Sequence, residues 1–599
     1  MWEGYTEKSG KDPHILFTGF MNSNGFVKRT REDIILYFQN NLNKYHYRII
    51  LIFAITVICF LGIFDRDLWT PDEPRVAAIS LEMSRNGNLV IPHLAGEPFI
   101  EKPPLYFAVA AGLIKMIGPV VGNTGAVRLA SALFAMGTLF VTFLLASRLS
   151  MGSFPFLSTL ILGTMVGFIE NFHWIRVDTA LSFFVVSAVW CFAEAYLANR
   201  SWFLPLAGFF CACAFLSKGL IGPLLISIPW AGLFIIWLQQ KKGAIKEEKF
   251  FILQHLICIL IFFIFSGLWI ALLKLKGGQA LWHEWFWVNH VGRLTGSAIA
   301  KGHLRHGRPF YYLNSIAMYS MPWLPLIAVW LYTVLKRLWK HRTISQENIF
   351  LLIWSVGTIL FLTLSVTKRS IYIAPALPAF AIMCAMVLKK GPSRSFEVYA
   401  MFWFIFYAAV LFLLTVLPFT AYFWKESVPV EIFDFMSAFG LKNLIAGIGL
   451  IICLYFIIRR QKDNSIPFRF MAATAVFYIG LFTGPMQAIN LEKSMKSSVQ
   501  EFAGHISMEK RPRVAGWKFS ETMLANFYYY CDWPVPQIRS ENRLQKILND
   551  KDDEFDSIII GNISSIPDLV KSPYHLIAEG DPGGFNHRRR IFWVEGNKP

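Results

Sequence analysis

The segment Thr70-Pro71-Asp72-Glu73-Pro74-Arg75 sets two carboxylates and a guanidinium just beyond an apolar run, between prolines that restrict the backbone. A carboxylate fixed there can accept a proton from a hydroxyl nucleophile or orient it, and Arg75 can hold an anion. The same residues also suit a plain helix start, with Asp72 as cap, Pro74 in the first turn and a helical pattern over 76–83. Further on, Gly96-Glu97-Pro98-Phe99-Ile100-Glu101-Lys102-Pro103-Pro104-Leu105-Tyr106 places adjacent charges before a stiff double proline. Lys102 suits a phosphate, and Glu101 suits a metal or an ordering ion pair, the plainer alternative being an exposed pair at a loop exit. Asp178, two residues after Arg176, opens a long apolar run, where capping or pairing with Arg176 competes with a chemical role. A third group joins His290-Val291-Gly292-Arg293 to Lys301-Gly302-His303-Leu304-Arg305-His306-Gly307-Arg308. Its histidines could ligate zinc, but at spacings that match no standard pattern, and Trp282, Trp285, Trp287 and Tyr311 equally suggest an interfacial aromatic belt.

What must position these groups is a membrane protein. Of 599 residues, 55% are hydrophobic, 16% aromatic and only 16% charged, with a mean hydropathy of +0.45, a combination outside the range of water-soluble domains. The net charge of +18 falls mostly in short Lys/Arg clusters between apolar runs, which reads as membrane orientation and not as a nucleic-acid-binding face. Cys59, Cys191, Cys211, Cys213, Cys258, Cys384 and Cys453 lie in apolar runs and Cys531 in a polar region, spaced for neither a disulfide framework nor a zinc site.

A bilayer core about 30 Å thick needs about 20 apolar residues per helix. Candidate spans fall at 49–64, 126–147, 155–170, 178–197, 202–217, 219–238, 251–275, 311–335, 347–366, 371–388, 398–418, 441–458 and 468–487, thirteen in all. The fourteen-residue stretch 105–118 is short and contains Lys115. Counting it as a span would put every basic cluster outside, so it is expected to be an interfacial helix on the outer surface. The expected layout is a cytoplasmic segment 1–48, a transmembrane region 49–488 with external loops at 65–125 and 276–310, and a small external α/β domain at 489–599. In that domain strands are expected near 513–517, 557–561, 575–579 and 591–594, and helices near 520–530 and 541–549. All the candidate chemical groups then share one face of the membrane, as do Glu170, His173, Lys218, Lys368 and Arg369.

Together these segments resemble the lipid-linked-sugar glycosyltransferases of the GT-C fold, and most closely the bacterial aminoarabinose (lipid A) transferases, relatives of the protein mannosyltransferases. The resemblance rests on Leu68-Trp69-Thr70-Pro71-Asp72-Glu73-Pro74-Arg75 and on 96–106 as quoted. It continues at Arg176-Val177-Asp178, Lys218-Gly219, His306-Gly307-Arg308-Pro309-Phe310-Tyr311-Tyr312, Pro322-Trp323 and Ser365-Val366-Thr367-Lys368-Arg369-Ser370, over roughly 60–380. It implies a bacterial inner-membrane enzyme with a periplasmic active site and C-terminal domain. The substrates implied are a sugar on polyprenyl (undecaprenyl) phosphate and, as acceptor, lipid A or another glycoconjugate. By the same resemblance Asp72 is the catalytic carboxylate, with Glu73 and Asp178 as further catalytic candidates. Arg75 and Lys102 handle the carrier phosphate, with Lys218 and Arg293 as further cations, and Glu101 with His290 or His306, or with His283, resembles a pair for zinc, magnesium or manganese. Pro74 and Val76 depart from the family pattern, where a small or hydroxyl residue and a tyrosine are usual, which bears on the acceptor.

Two other readings remain at this point. One is transfer of mannose, another hexose or a uronic acid to core oligosaccharide or protein. The other is a transporter or lipid flippase, for which ionisable groups near the midplane and related halves would be the mark.

Overall fold

In lipid an apolar run satisfies its backbone by coiling, and the long apolar runs of this chain do so. The computed structural model describes residues 49, 52–53, 55–149, 155–240, 248–292, 310–341, 343–365, 368–389, 391–423, 441–459, 466–483, 489–490, 492–549, 551–560, 575–580 and 591–595. Among them, eight helices are long and apolar enough to cross a membrane, and two further candidates are bent pairs. The shorter apolar helices Phe203–Lys218 and Gly447–Arg459 fill two more of the expected positions, and 49–64 is only partly described. The chain is a multi-span membrane protein. Among the described residues full-length helices are fewer than the thirteen expected spans, several of which are broken, short or only partly described.

The breaks shape the site. Pro155–Gly163 and Val166–Phe172 meet at 63°, and Tyr311–Tyr319 and Leu324–Trp339 at 118°. Pro322 has no N–H to continue a helical ladder, and Thr164 turns its hydroxyl back to the Leu160 carbonyl at 2.8 Å. The two breaks satisfy each other: the Val166 N–H donates to the Met321 carbonyl at 2.9 Å, and the Trp323 indole N–H to Thr164 Oγ1 at 3.0 Å. Gly167 lets them meet, since a Cβ there would stand 2.5 Å from the Tyr319 side chain. Straight helices, as expected for 155–170 and 311–335, would carry Glu170 and Tyr319 elsewhere.

The short apolar helix expected at 105–118 begins the 44-residue element Leu105–Arg148, which Gly122 interrupts at φ 76° and ψ 154°. Ahead of it, Asp72–Asn86 forms a helix ended by Gly87 in the left-handed region, whose N–H returns to the Met83 carbonyl. Neither Asp72 nor Asp178 caps its helix: Pro71 and Arg176 hold the cap positions without side-chain cap bonds, and each aspartate lies in the first turn. Both side chains are therefore left for other partners.

The tail carries a five-stranded mixed sheet of order β4-β3-β5-β7-β6, counting the hairpin His93–Leu94 and Glu97–Pro98 as β1 and β2. The strands are β3 Val514–Trp517, β4 Gln537–Ile538, β5 Ser557–Ile560, β6 His575–Gly580 and β7 Ile591–Glu595. β3 is parallel to β4 and β5, and β7 is antiparallel to β5 and β6. Trp517, Ile538, Leu544, Leu548, Ile558 and Ile560 form its core. The tail grips the first long loop. Thr70 N–H donates to the Lys493 carbonyl at 3.0 Å, Leu68 N–H to Tyr530 Oη at 2.9 Å, and Trp69 indole N–H to Asn490 Oδ1 at 3.0 Å. The Glu521–Cys531 helix lies along Asp72–Asn86, closed by Arg75–Glu521 at 2.6 Å and Arg85–Asp532 at 2.5 Å.

Candidate active site

A cavity of about 230 Å³ opens where the first turns of Asp72–Asn86 and Val177–Leu197 meet the two broken spans and the 3-10 segment Ser370–Ala376. Its polar lining holds Asp72, Lys102, Arg176, Asp178 and Arg369, and Glu170, Tyr311, Tyr319 and Ser370 complete it.

Asp72 is the most heavily paired lining carboxylate. Arg75 Nη2 approaches Oδ1 at 2.7 Å, while Arg369 Nη2 and Arg176 Nε stand 3.6 and 3.8 Å from Oδ2. Burial by itself would raise the Asp72 pKa, but Arg369, Lys102, Arg75 and Arg176 outweigh it and hold it at about 2. Burial pushes the Lys102 ammonium below the ordinary lysine range, with Arg75 and Lys218 adding to the effect and Glu101 and Asp72 opposing it. Asp178 pairs with Lys218, whose ammonium also sits over the Tyr372 ring, 4.4 Å from its centre. Arg176 stacks on Trp174 at 4.5 Å and donates to Asn171 Oδ1 at 3.0 Å, so its guanidinium reaches Asp72 from a fixed direction.

Several expected site residues stand elsewhere. Glu73 is not on the cavity: its side chain is 0% exposed, and its two oxygens take Arg66 at 3.0 Å, Arg128 at 2.9 Å and the N–H groups of Trp69 and Ile175 at 2.8 and 3.1 Å. One residue further along a helix turns a side chain by about 100°, which sends Asp72 to the cavity and Glu73 into the protein. Burial opposes its ionisation, yet Arg128 and Arg66 hold it at about 2. Glu73 is thus a structural anchor, a correction to its place among the catalytic candidates. Arg75 and Lys218 stand behind the lining, each gripping a lining aspartate. His173 is buried, stacked on Phe482, and bonded to the Ile58 carbonyl, and burial lowers its pKa to about 3, so it stays neutral.

Among the described residues no group of three or more His, Cys, Asp or Glu side chains could hold an ion. His290 directs Nδ1 to the Trp285 carbonyl at 2.8 Å and packs its ring on Trp285 and the Gly219 backbone. Arg293 and His306 lie outside the described residues. No step below is routed through a metal.

Arg369, Arg176, Glu170 and Tyr319 were the residues that reasoning from sequence underweighted. The signals for Arg369 are its place directly after an apolar run on the same face as Asp72 and its membership of the 365–370 segment of the resemblance. Glu170 and Tyr319 depend on the broken spans, which no periodicity announces.

The profile of the family described as dolichyl-phosphate-mannose-protein mannosyltransferase matches residues 101–269. A relative from Aeromonas hydrophila subsp. hydrophila, an undecaprenyl phosphate-alpha-4-amino-4-deoxy-L-arabinose arabinosyl transferase, is 29% identical over 381 residues, 60% of this chain and 64% of its own length. The protein of the same name from Yersinia enterocolitica is 30% identical over 56% of this chain and 57% of its own length. The chain thus spans less than two thirds of the length of these relatives. Crystal structures of ArnT from Cupriavidus metallidurans, apo and bound to undecaprenyl phosphate, superpose with a TM-score of 0.66 at 17% identity, covering 91% of this chain and 97% of theirs. The chain is therefore a multi-span membrane protein with the ArnT fold, similar in sequence over 60% of its length to a protein named as an undecaprenyl phosphate-alpha-4-amino-4-deoxy-L-arabinose arabinosyl transferase.

Proposed function

We propose that the protein transfers a sugar from polyprenyl phosphate to a glycoconjugate on the outer side of a bacterial inner membrane. The sugar proposed is 4-amino-4-deoxy-L-arabinose, following the names of the relatives, and the acceptor proposed is lipid A, following the resemblance of the sequence motifs. The observation that carries this reading is the gathering of Lys102, Arg176 and Arg369 with Asp72 in the lining of one cavity.

The chemistry follows from that lining. An acceptor oxygen attacks C1 of the sugar, the C1–O bond to phosphate breaks, and polyprenyl phosphate leaves with the electron pair, inverting the anomeric centre. Charge grows on the leaving phosphate, and preorganised cations are worth most at such a point. Lys102, Arg176 and Arg369 are placed for it, and Asp72 keeps them in register before the donor arrives. A pKa of about 2 makes Asp72 a weak base for a hydroxyl, because an effective general base titrates near the working pH. That supports an acceptor arriving already ionised, such as a lipid phosphate, which needs positioning and has no proton to lose.

Mass spectrometry of membrane lipids from cells carrying the protein or its Asp72→Asn variant tests the reading. The sugar-modified acceptor should vanish in the variant at equal protein level, and an unchanged lipid profile would remove the assignment.

A further inference from the structure

The cavity cations are unevenly shared. Asp72 has Arg75, Arg176 and Arg369 within ion-pair reach, and Asp178 has Lys218. Glu170, the third lining carboxylate, forms no ion pair among the described residues, and it is exposed to the cavity. Its contact is a long hydrogen bond of 3.5 Å from the Tyr319 hydroxyl. Tyr319 divides that hydroxyl with Asn171 Oδ1 at 3.4 Å, and Asn171 in turn holds Arg176. Glu170 is therefore aimed by the same network that sets the phosphate-facing guanidinium. A few convergent polar groups fix a ligand's orientation in such a pocket. Here cations gather around Asp72, and one lining carboxylate has no ion pair among the described residues.

We infer that Glu170 selects donors whose sugar carries a protonated amine, accepting a charge-assisted hydrogen bond from it while the phosphate lies among Lys102, Arg176 and Arg369. This rests on the sugar-transfer reading above and adds the group that discriminates the sugar. A neutral sugar offers Glu170 only hydroxyl donors and gains less.

The test is equilibrium binding of two synthetic donors to the full-length purified protein and to its Glu170→Gln variant. One donor is polyprenyl phosphate bearing 4-amino-4-deoxyarabinose, and the other bears the 4-hydroxy counterpart. Glutamine keeps an oxygen for Tyr319, so the substitution removes charge and little else. The wild type should prefer the amino donor by roughly 10- to 100-fold, the range for a hydrogen bond to a charged group. Glu170→Gln should lose that preference, with a much smaller fall in affinity for the neutral donor than for the amino donor, and raising the pH until the amine is neutral should erase it in the wild type. Equal losses for both donors, or no preference in the wild type, would overturn the inference. Preferential binding without transfer to lipid A would overturn the proposed activity and leave Glu170's selectivity standing.

Discussion

Arg75 bridges two carboxylates from distant parts of the chain, Nη2 on Asp72 Oδ1 at 2.7 Å and Nη1 on Glu521 Oε2 at 2.6 Å, the latter 446 residues away in sequence. The tail helix thereby fixes the cation behind the cavity aspartate. Glu521 is partly exposed, so its pair with Arg75 stabilises the fold by about 1 kcal/mol or less. Glu521→Gln should leave thermal unfolding in detergent nearly unchanged while transfer falls several-fold, because a small misplacement of Asp72 is costly to catalysis. A thermal loss with unchanged kcat would assign Glu521 to simple docking.

The neighbours Asp72 and Glu73 should separate cleanly on mutation. Asp72→Asn should fold normally and lose transfer by roughly 100-fold, the scale of a small misplacement of the groups it holds in register. Glu73→Gln should instead lower yield and thermal stability, since it leaves Arg66 and Arg128 buried with an uncompensated charge, a loss of about 3–5 kcal/mol. Size-exclusion profiles beside activity per folded protein distinguish the two.

The pH dependence should be set by Lys102. Its depressed pKa means the folded protein releases that proton before the unfolded chain does, so its contribution to stability rises with pH between the folded value and the ordinary lysine value of about 10.4. An anionic donor needs the protonated form, so the donor KM should climb below the pH at which an ordinary lysine titrates. Lys102→Arg should move that alkaline limb upward. Asp72 runs in the same direction in a lower window: its carboxylate stabilises the fold fully above the unfolded value of about 3.9, and that support is lost as pH falls towards about 2. Kinetics that stay flat on the alkaline side in the wild type would remove Lys102 from donor binding.

Arg369 is half exposed and 3.6 Å from Asp72, close enough to follow a phosphate. Arg369→Ala should raise the donor KM by roughly tenfold, the scale of one hydrogen bond to a charged group, with little change in thermal stability. Arg369→Lys should restore part of it, because lysine supplies charge without the planar fork.

Much of the arrangement was legible because it is written in local chemistry. Apolar length announced the helices, and charge between prolines announced Asp72 and Lys102, which do share a cavity. β3, β5, β6 and β7 fall close to where alternation placed them, whereas the two-residue β4 and the Lys496–Gly504 helix were too short or too polar to stand out. What stayed hidden is long-range. Nothing in Asp72-Glu73 says that Arg66 and Arg128 close on the second residue while Arg176 and Arg369 close on the first. Nor does an apolar run reveal a bend that depends on Val166 finding the Met321 carbonyl.

The grip of residues 490–530 on residues 67–75 also has a meaning in time. A ribosome delivers Asp72 and Arg75 early, and the helix that steadies them comes only after every intervening segment has been made. A nascent chain that has not yet reached residue 521 therefore holds Arg75 without its Glu521 partner, and the support behind the cavity is completed from both ends of the sequence.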